Sequence, residues 1–177
     1  RILTQLVRSA DFVIESFRPG RLQELGLDYE ALAAVNPRLI LMSISPFGQD
    51  GPKSQNPWSD LTAWASCGAA YITGDRDRSP VCMGFIPQIS AQAASEAMTA
   101  VMIAHYEREC SDQGQHIDLS IQESGIGILQ ATVEMWDLAR HEYMRSGGTW
   151  MATSGAARHL AFPCKDGFAI LLQSGGG

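Results

Sequence analysis

No cysteine pair in this chain has the CxxC spacing, and its four cysteines and four histidines lie scattered along 177 residues. Zinc sites draw Cys and His at short, regular spacings, so no metal site is expected. Widely spaced thiols (Cys67, Cys82, Cys110, Cys164) fit a reducing compartment, and a cytoplasmic protein is expected. There is no run of Lys and Arg, and the formal net charge is −6. That excludes the basic footprint a nucleic-acid binder needs to replace counterions on phosphates. Long apolar runs are also missing. The longest, such as Leu39–Met42 and Phe168–Leu172, fall far short of the roughly 20 residues of a membrane helix, so no membrane partner is expected. One further absence is local: no Asp or Glu lies between Pro80 and Ser95.

What is present describes a folded domain. Apolar residues make up 45% and charged residues 18%, outside the disordered range and enough for a core. The chain opens on Arg1 and closes on a glycine run, and both ends read as cuts through a longer protein. Ile2–Arg8 reads as a short helix end. Asp11–Phe17 is β-rich and breaks at Arg18-Pro19-Gly20, because proline cannot donate to a ladder. Leu22–Leu25 is helical or turn-like, and Asp28 caps a helix over Tyr29–Val35. Leu39–Ser45 is the nearly continuous apolar run of a strand covered on both faces. A helix is expected over Asp60–Ala70, with Asp60 as its N-cap. A second is expected over Ala91–Glu109, capped by Ser90, with Ala94, Ala97, Met98, Val101, Met102 and His105 on its buried stripe. His116–Ile121 is a strand with Asp118 on the alternate face, and Gly125–His141 a further long helix. Arg145–Gly155 reads as a flexible Gly/Ser/Thr loop. Ala161–Leu172 reads as a hairpin turning at Lys165-Asp166-Gly167. Strand, helix and strand in alternation predict βαβ units and a parallel sheet, an α/β fold.

Several stretches match one family pattern. Ala10–Gly20 (ADFVIESFRPG) resembles its A-D-V-V-I-E-N-F-R-P-G run, with Ser16 for Asn. Leu39–Pro52 (LILMSISPFGQDGP) is similar to its strand and S-I-S-G-F-G-x-x-G-P turn, with Pro46 for the first Gly. Met83–Ser124 carries its Ala-rich helix, Gly-Gln turn and strand, ending in Gly114-Gln115 and His116–Ile121. Phe162–Gly167 resembles its F/Y-x-C-x-D-G turn. On these stretches the chain is identified as a member of the family III CoA-transferases, which include the formyl-CoA and carnitine CoA-transferases.

The resemblance implies a Rossmann-like large domain, a parallel sheet with flanking helices, joined to a smaller α/β domain, with two chains interlocked as a dimer. Residues 1–140 would be the second half of the large CoA-binding domain, and 141–177 a linker and the start of the small one. It implies CoA and acyl-CoA as substrates, with a carboxylic acid as the other partner. The CoA contacts implied are Arg18, Pro19, Gly20, Ser45, Phe47 and Gly48. An Arg at a strand end can grip a phosphate with its fork of donors.

The catalytic residue of the family is an Asp that attacks the acyl-CoA thioester and forms an anhydride. Counting back from Gly114-Gln115 puts that position at Ser90; counting forward from Gly84 puts it at Ile89. Neither is a carboxylate. Glu96 lies about 240° around the helix from Ser90, on another face. Ser59 stands where a racemase branch carries a His, and a serine has no pKa suited to moving that proton. The resemblance therefore implies a non-catalytic CoA-binding subunit or domain, partnered by a homologous chain, as in heteromeric CoA-transferases of the benzylsuccinate type. The alternatives are an active transferase or racemase-like relative using another residue, and an unrelated nucleotide-binding α/β domain.

Overall fold

The structure, a computed structural model, describes residues 2–81, 87–151 and 157–171. Three parallel strands form the central sheet in the order β1 (Phe12–Glu15), β2 (Ile40–Ser45), β3 (His116–Ser120). Phe12 aligns with Ile40 and Glu15 with Ser43 across the first pair; Leu41 aligns with His116 and Ser45 with Ser120 across the second. Strand β2 is central, and Ile40, Leu41 and Met42 are almost wholly buried. Each contributes about 1.5–3 kcal/mol of burial, which is why this segment carries no polar alternation until Ser43.

Helices cover the sheet between strands. Helix α1 (Ile2–Val7) precedes β1, and α2 (Arg21–Glu24) and α3 (Tyr29–Ala33) connect β1 to β2. Asp28 caps α3 by accepting from the Ala31 N–H at 2.9 Å. Val7, Leu32 and Leu39 make a small core on this side. Helices α4 (Asp60–Ser66), α5 (Ala69–Ile72) and the 24-residue α6 (Gln88–Ser111) connect β2 to β3. A larger core joins Met42 and Leu119 to Ala63, Trp64, Ile89, Ala97 and Val101 of these helices.

Two positions show how closely the chain is held. Gly114 donates its N–H to the Pro37 carbonyl at 2.8 Å, and a Cβ there would lie 1.9 Å from the Leu39 carbonyl oxygen. Only glycine lets the turn into β3 run this close to β2. At the far end of α6, Arg108 is buried, and its guanidinium donates to the Asp11 and Arg38 carbonyls and to the Asp11 carboxylate at 3.0–3.3 Å. That clamp ties α6 to the start of both strands.

Several expectations need correction. The expected Asp60–Ala70 helix is two helices, because Gly68 sits at φ +98° between α4 and α5. The expected Gly125–His141 helix is α7 (Ile121–Gly127) and α8 (Gln130–Ala139), with a tighter turn at Ile128–Leu129. Helix α7 starts directly on β3, capped by Ser120, so Ile121 is helical. Helix α6 starts three residues early, with Pro87 at its N-cap, which removes Ser90 as the cap. Its buried face is Ile89, Ala93, Ala97, Val101, Ala104 and Arg108; Met98 is 63% and Met102 52% exposed, and Ala94 is exposed. Small residues face the sheet so that the helix can lie close, and the methionines turn away. Part of the expected loop at Arg145–Gly155 is strand: β4 (Thr149–Met151) pairs antiparallel with β5 (Ala157–His159). The expected hairpin is β6 (Ala161–Cys164) against β7 (Gly167–Ile170). Ser154-Gly155 and Leu172 lie outside the described residues, as do Cys82 and residues 83–86 before α6.

Candidate functional site

Parallel strands direct their C-terminal ends to one rim, and loops there meet the start of the next helices. Strand β1 runs out at Arg18-Pro19-Gly20. Gly20 takes φ +85° and opens α2. Pro19 is buried, and its carbonyl accepts from Gln55 Nε2 at 3.2 Å. Arg18 and Pro19 line a cavity of about 460 Å³ together with Trp58, Ser90, Ala93 and Ala94. The strand-end turn and the expected catalytic position, 72 residues apart in sequence, therefore share one cavity.

The structure separates the two candidates for that position. Ile89 is fully buried in the core between α6 and the sheet and cannot present a side chain to ligand. Ser90 is half-buried and faces the cavity. Its hydroxyl donates to Asp60 Oδ1 at 2.7 Å, and its N–H donates to the same oxygen at 3.1 Å. Asp60 is not the cap of its own helix. Ser59 fills that role, in a reciprocal capping box with Thr62. With its own helix already capped, Asp60 instead satisfies an orphan N–H in the first turn of α6, where Pro87 offers no side-chain acceptor. A carboxylate thus stands against Ser90, supplied from another helix thirty residues away. Sequence reasoning missed this, and the pair spans two elements with no common spacing. Glu96 accepts from Gln92 Nε2 at 2.9 Å on its own helix and lies close to Gly127, away from this cavity.

The remaining candidates divide. Gly20 and Arg18 also line a second cavity of about 340 Å³, with Arg21, Ser43, Gln49 and His116. Phe47 and Gly48 line a third, of about 300 Å³, beside Lys53 and Asp118. Gly48 sits at φ +87°, where the Gln49 N–H donates to Asp118 at 2.9 Å. Ser45 is fully buried at the end of β2 and lines none of these cavities; its hydroxyl has no partner among the described residues. Pro46, expected to be a glycine in the family turn, is tied to α7 instead: its carbonyl accepts from the Gln122 N–H at 3.0 Å.

Arg18 is not free. It ion-pairs with Glu24, as does Arg21 at 2.9 Å. The Arg21 and then the Arg18 hydrogen bonds hold the Glu24 carboxyl below its ordinary range.

Cys67 is buried with its thiol donating to the Trp64 carbonyl at 3.3 Å. Cys164 is exposed, on the open ribbon that β6 and β7 form. Among the described residues no group of three His, Cys, Asp or Glu is placed to hold a metal ion, and no helix is long and apolar enough to cross a membrane.

The sequence profile of CoA-transferase family III matches residues 1–176. A succinyl-CoA–D-citramalate CoA-transferase of Chloroflexus aurantiacus is 36% identical over 146 residues, covering 82% of this chain and 36% of the relative. The succinyl-CoA:(R)-benzylsuccinate CoA-transferase subunit BbsE of Thauera aromatica is 34% identical over 173 residues, covering 97% of this chain. Among solved structures, a CAIB/BAIF family protein from Brucella suis superposes with a TM-score of 0.84 at 29% identity, covering 94% of this chain and 43% of that one. The chain spans roughly two fifths of the length of the curated relatives it matches.

Proposed function

The chain belongs to CoA-transferase family III, and from that premise we propose that it takes part in moving CoA between an acyl-CoA thioester and a carboxylic acid. In that assembly it is the CoA-binding, structural chain, and a homologous chain supplies the nucleophilic carboxylate. Residues 1–140 belong to the large CoA-binding domain and 141–177 begin the small one. The observation that carries the subunit role is Ser90: it faces the cavity at the expected nucleophile position, and both its donors are committed to Asp60. A serine hydroxyl bonded to a carboxylate that also caps a helix cannot give the anhydride that the family's exchange requires. Relatives that are themselves subunits, BbsE and the alpha and beta subunits of a succinyl-CoA–L-malate CoA-transferase, support a heteromeric assembly. CoA enters over Arg18-Pro19-Gly20, with Phe47 and Gly48 at the next strand end, and buried Ser45 is no contact.

A second reading rests on one observation, that Asp60 brings a carboxylate to this position. In it, Asp60 attacks the acyl carbonyl, the C–S bond breaks, and CoA thiolate leaves a mixed anhydride on Asp60. A single experiment separates the readings. The protein is incubated with acyl-CoA and hydroxylamine, and hydroxamates are mapped by mass spectrometry. Label confined to a co-purifying homologous chain supports the subunit reading. A hydroxamate at Asp60, abolished by Asp60→Asn, overturns it in favour of the second.

A further inference from the structure

The turn that ends β1 places two arginines on one carboxylate of the same chain. Arg18 precedes a proline and is held extended. Gly20 then turns the chain into the single-turn helix α2, which sets Arg21 and Glu24 three residues apart on one face. Arg21 Nη1 meets Glu24 Oε2 at 2.9 Å, and Arg18 Nη2 meets the other oxygen, Oε1. Both arginines line the cavity of about 340 Å³ in which the Tyr29 and His116 rings stack at 5.7 Å. Two guanidinium groups converging on the two oxygens of one anion are the arrangement a phosphate recruits. Here a side chain of the protein occupies it.

We propose that Glu24 is an internal competitor for the phosphate-bearing end of the CoA thioester, and that releasing it exposes an Arg18–Arg21 fork that binds that phosphate. The proposal rests on the reading of Arg18 as a CoA contact. All three side chains are well exposed, at 60%, 45% and 43%. Exposed pairs of this kind hold weakly and are screened by salt. A phosphate monoester carries more charge and more acceptor oxygens than a carboxylate, so it displaces Glu24 instead of being shut out. The consequence is selectivity. A ligand without phosphate cannot displace Glu24, and one with a phosphate must, so Glu24 sets how far affinity depends on that group.

The test measures equilibrium binding of CoA, dephospho-CoA and pantetheine by calorimetry on the full-length protein at low and moderate ionic strength. Glu24→Gln keeps the side chain's size and removes its charge. It is expected to tighten CoA binding roughly three- to tenfold at low salt, less at moderate salt, and to leave pantetheine unchanged. Arg18→Ala weakens CoA, and adding Arg21→Ala to Glu24→Gln removes the gain. A melting temperature equal to the parent's shows that Glu24→Gln is folded. If Glu24→Gln leaves CoA affinity unchanged while Arg18→Ala weakens it, the competitor role is lost and the Arg18 contact stands. If Arg18→Ala changes nothing, the CoA contact itself is wrong and the inference falls with it. Equal tightening of pantetheine, or a gain that survives Arg21→Ala, also overturns the fork.

Discussion

Replacing Ser90 by Asp puts a carboxylate at the proposed nucleophile position, and the geometry around Asp60 predicts that this single change destabilises the fold. Ser90 Oγ lies 2.7 Å from Asp60 Oδ1. An aspartate at 90 brings a second carboxylate to about 4 Å from the first, where two unit charges repel by roughly 4 kcal/mol at the effective dielectric of a half-buried site. The hydroxyl-to-carboxylate hydrogen bond, about 1.5–3 kcal/mol, is lost as well. The pair escapes part of this by holding one proton between two carboxylates, which sets the pH dependence. The folded variant keeps that proton at a pH where the unfolded chain has shed it. Its stability relative to the parent therefore falls as pH rises above about 4. We expect Ser90→Asp to cost about 5 kcal/mol at pH 8, where proton sharing no longer helps, and about 2 kcal/mol at pH 5, where it does, read from urea unfolding of both proteins. Asp60→Asn in the Ser90→Asp background removes one charge and keeps an acceptor for the first turn of α6, so stability at pH 8 recovers to within about 1 kcal/mol of the parent. A penalty that is the same at pH 5 and pH 8, or no penalty at pH 8, would show that Asp60 does not sit against residue 90.

Gly114→Ala tests the turn into β3. The new Cβ would meet the Leu39 carbonyl oxygen at 1.9 Å and the Leu39 carbonyl carbon at 2.5 Å, both backbone atoms that cannot swing aside. A loss of about 3–5 kcal/mol is expected in urea unfolding, against less than about 1 kcal/mol for Gly167→Ala, where a Cβ meets nothing within 4 Å. Arg108→Met keeps the buried length of the side chain but strips the donors from the Asp11 and Arg38 carbonyls. It is expected to cost about 2–4 kcal/mol, seen as a lower urea midpoint and as faster amide exchange in β1 than in β3.

The fold was legible wherever one element's own pattern decided its environment. Leu39–Ser45 announced a central strand because residues buried on both faces leave no alternation. Arg18-Pro19-Gly20 announced the end of β1 because proline and a left-handed glycine permit little else. The pattern failed where partners decide. In α6, Ala97 and Val101 belong to two overlapping rows. Periodicity cannot say whether Met98 and Met102 or Ala93 and Ala104 complete the buried face. Packing against the sheet chose the smaller side chains. Gly125–His141 read as one helix because its apolar spacing continues through Ile128 and Leu129. The break there comes from i to i+3 hydrogen bonds that spacing does not record. At the site, Arg18, Pro19 and Ser90 were found by motif and do share a cavity. Asp60 and Glu24 carry no sequence signal as partners of Ser90 and Arg18, because a hydrogen bond across thirty residues and a competing ion pair leave no trace in a motif.

Those two carboxylates express one physical demand. A cluster of donors without an acceptor is costly, and in both places the chain supplies a carboxylate of its own. At the start of α6, Pro87 gives no side-chain cap, so the orphan N–H and the hydroxyl of Ser90 both turn to Asp60. That bond is available only because Ser59 and Thr62 cap α4 between themselves, leaving Asp60 free to reach across. At the end of β1, Arg18 and Arg21 both pair with Glu24. The two cases differ in one respect that bears on function. Asp60 is half-buried and holds two donors of a 24-residue helix, so it is fixed; Glu24 is exposed and paired only to flexible side chains, so it yields. On the proposed reading, in which Arg18 meets CoA and Ser90 stands at the nucleophile position, a chain arranged this way keeps its CoA end adjustable while its acyl end is closed by its own side chains, the division of labour such a binding subunit would need.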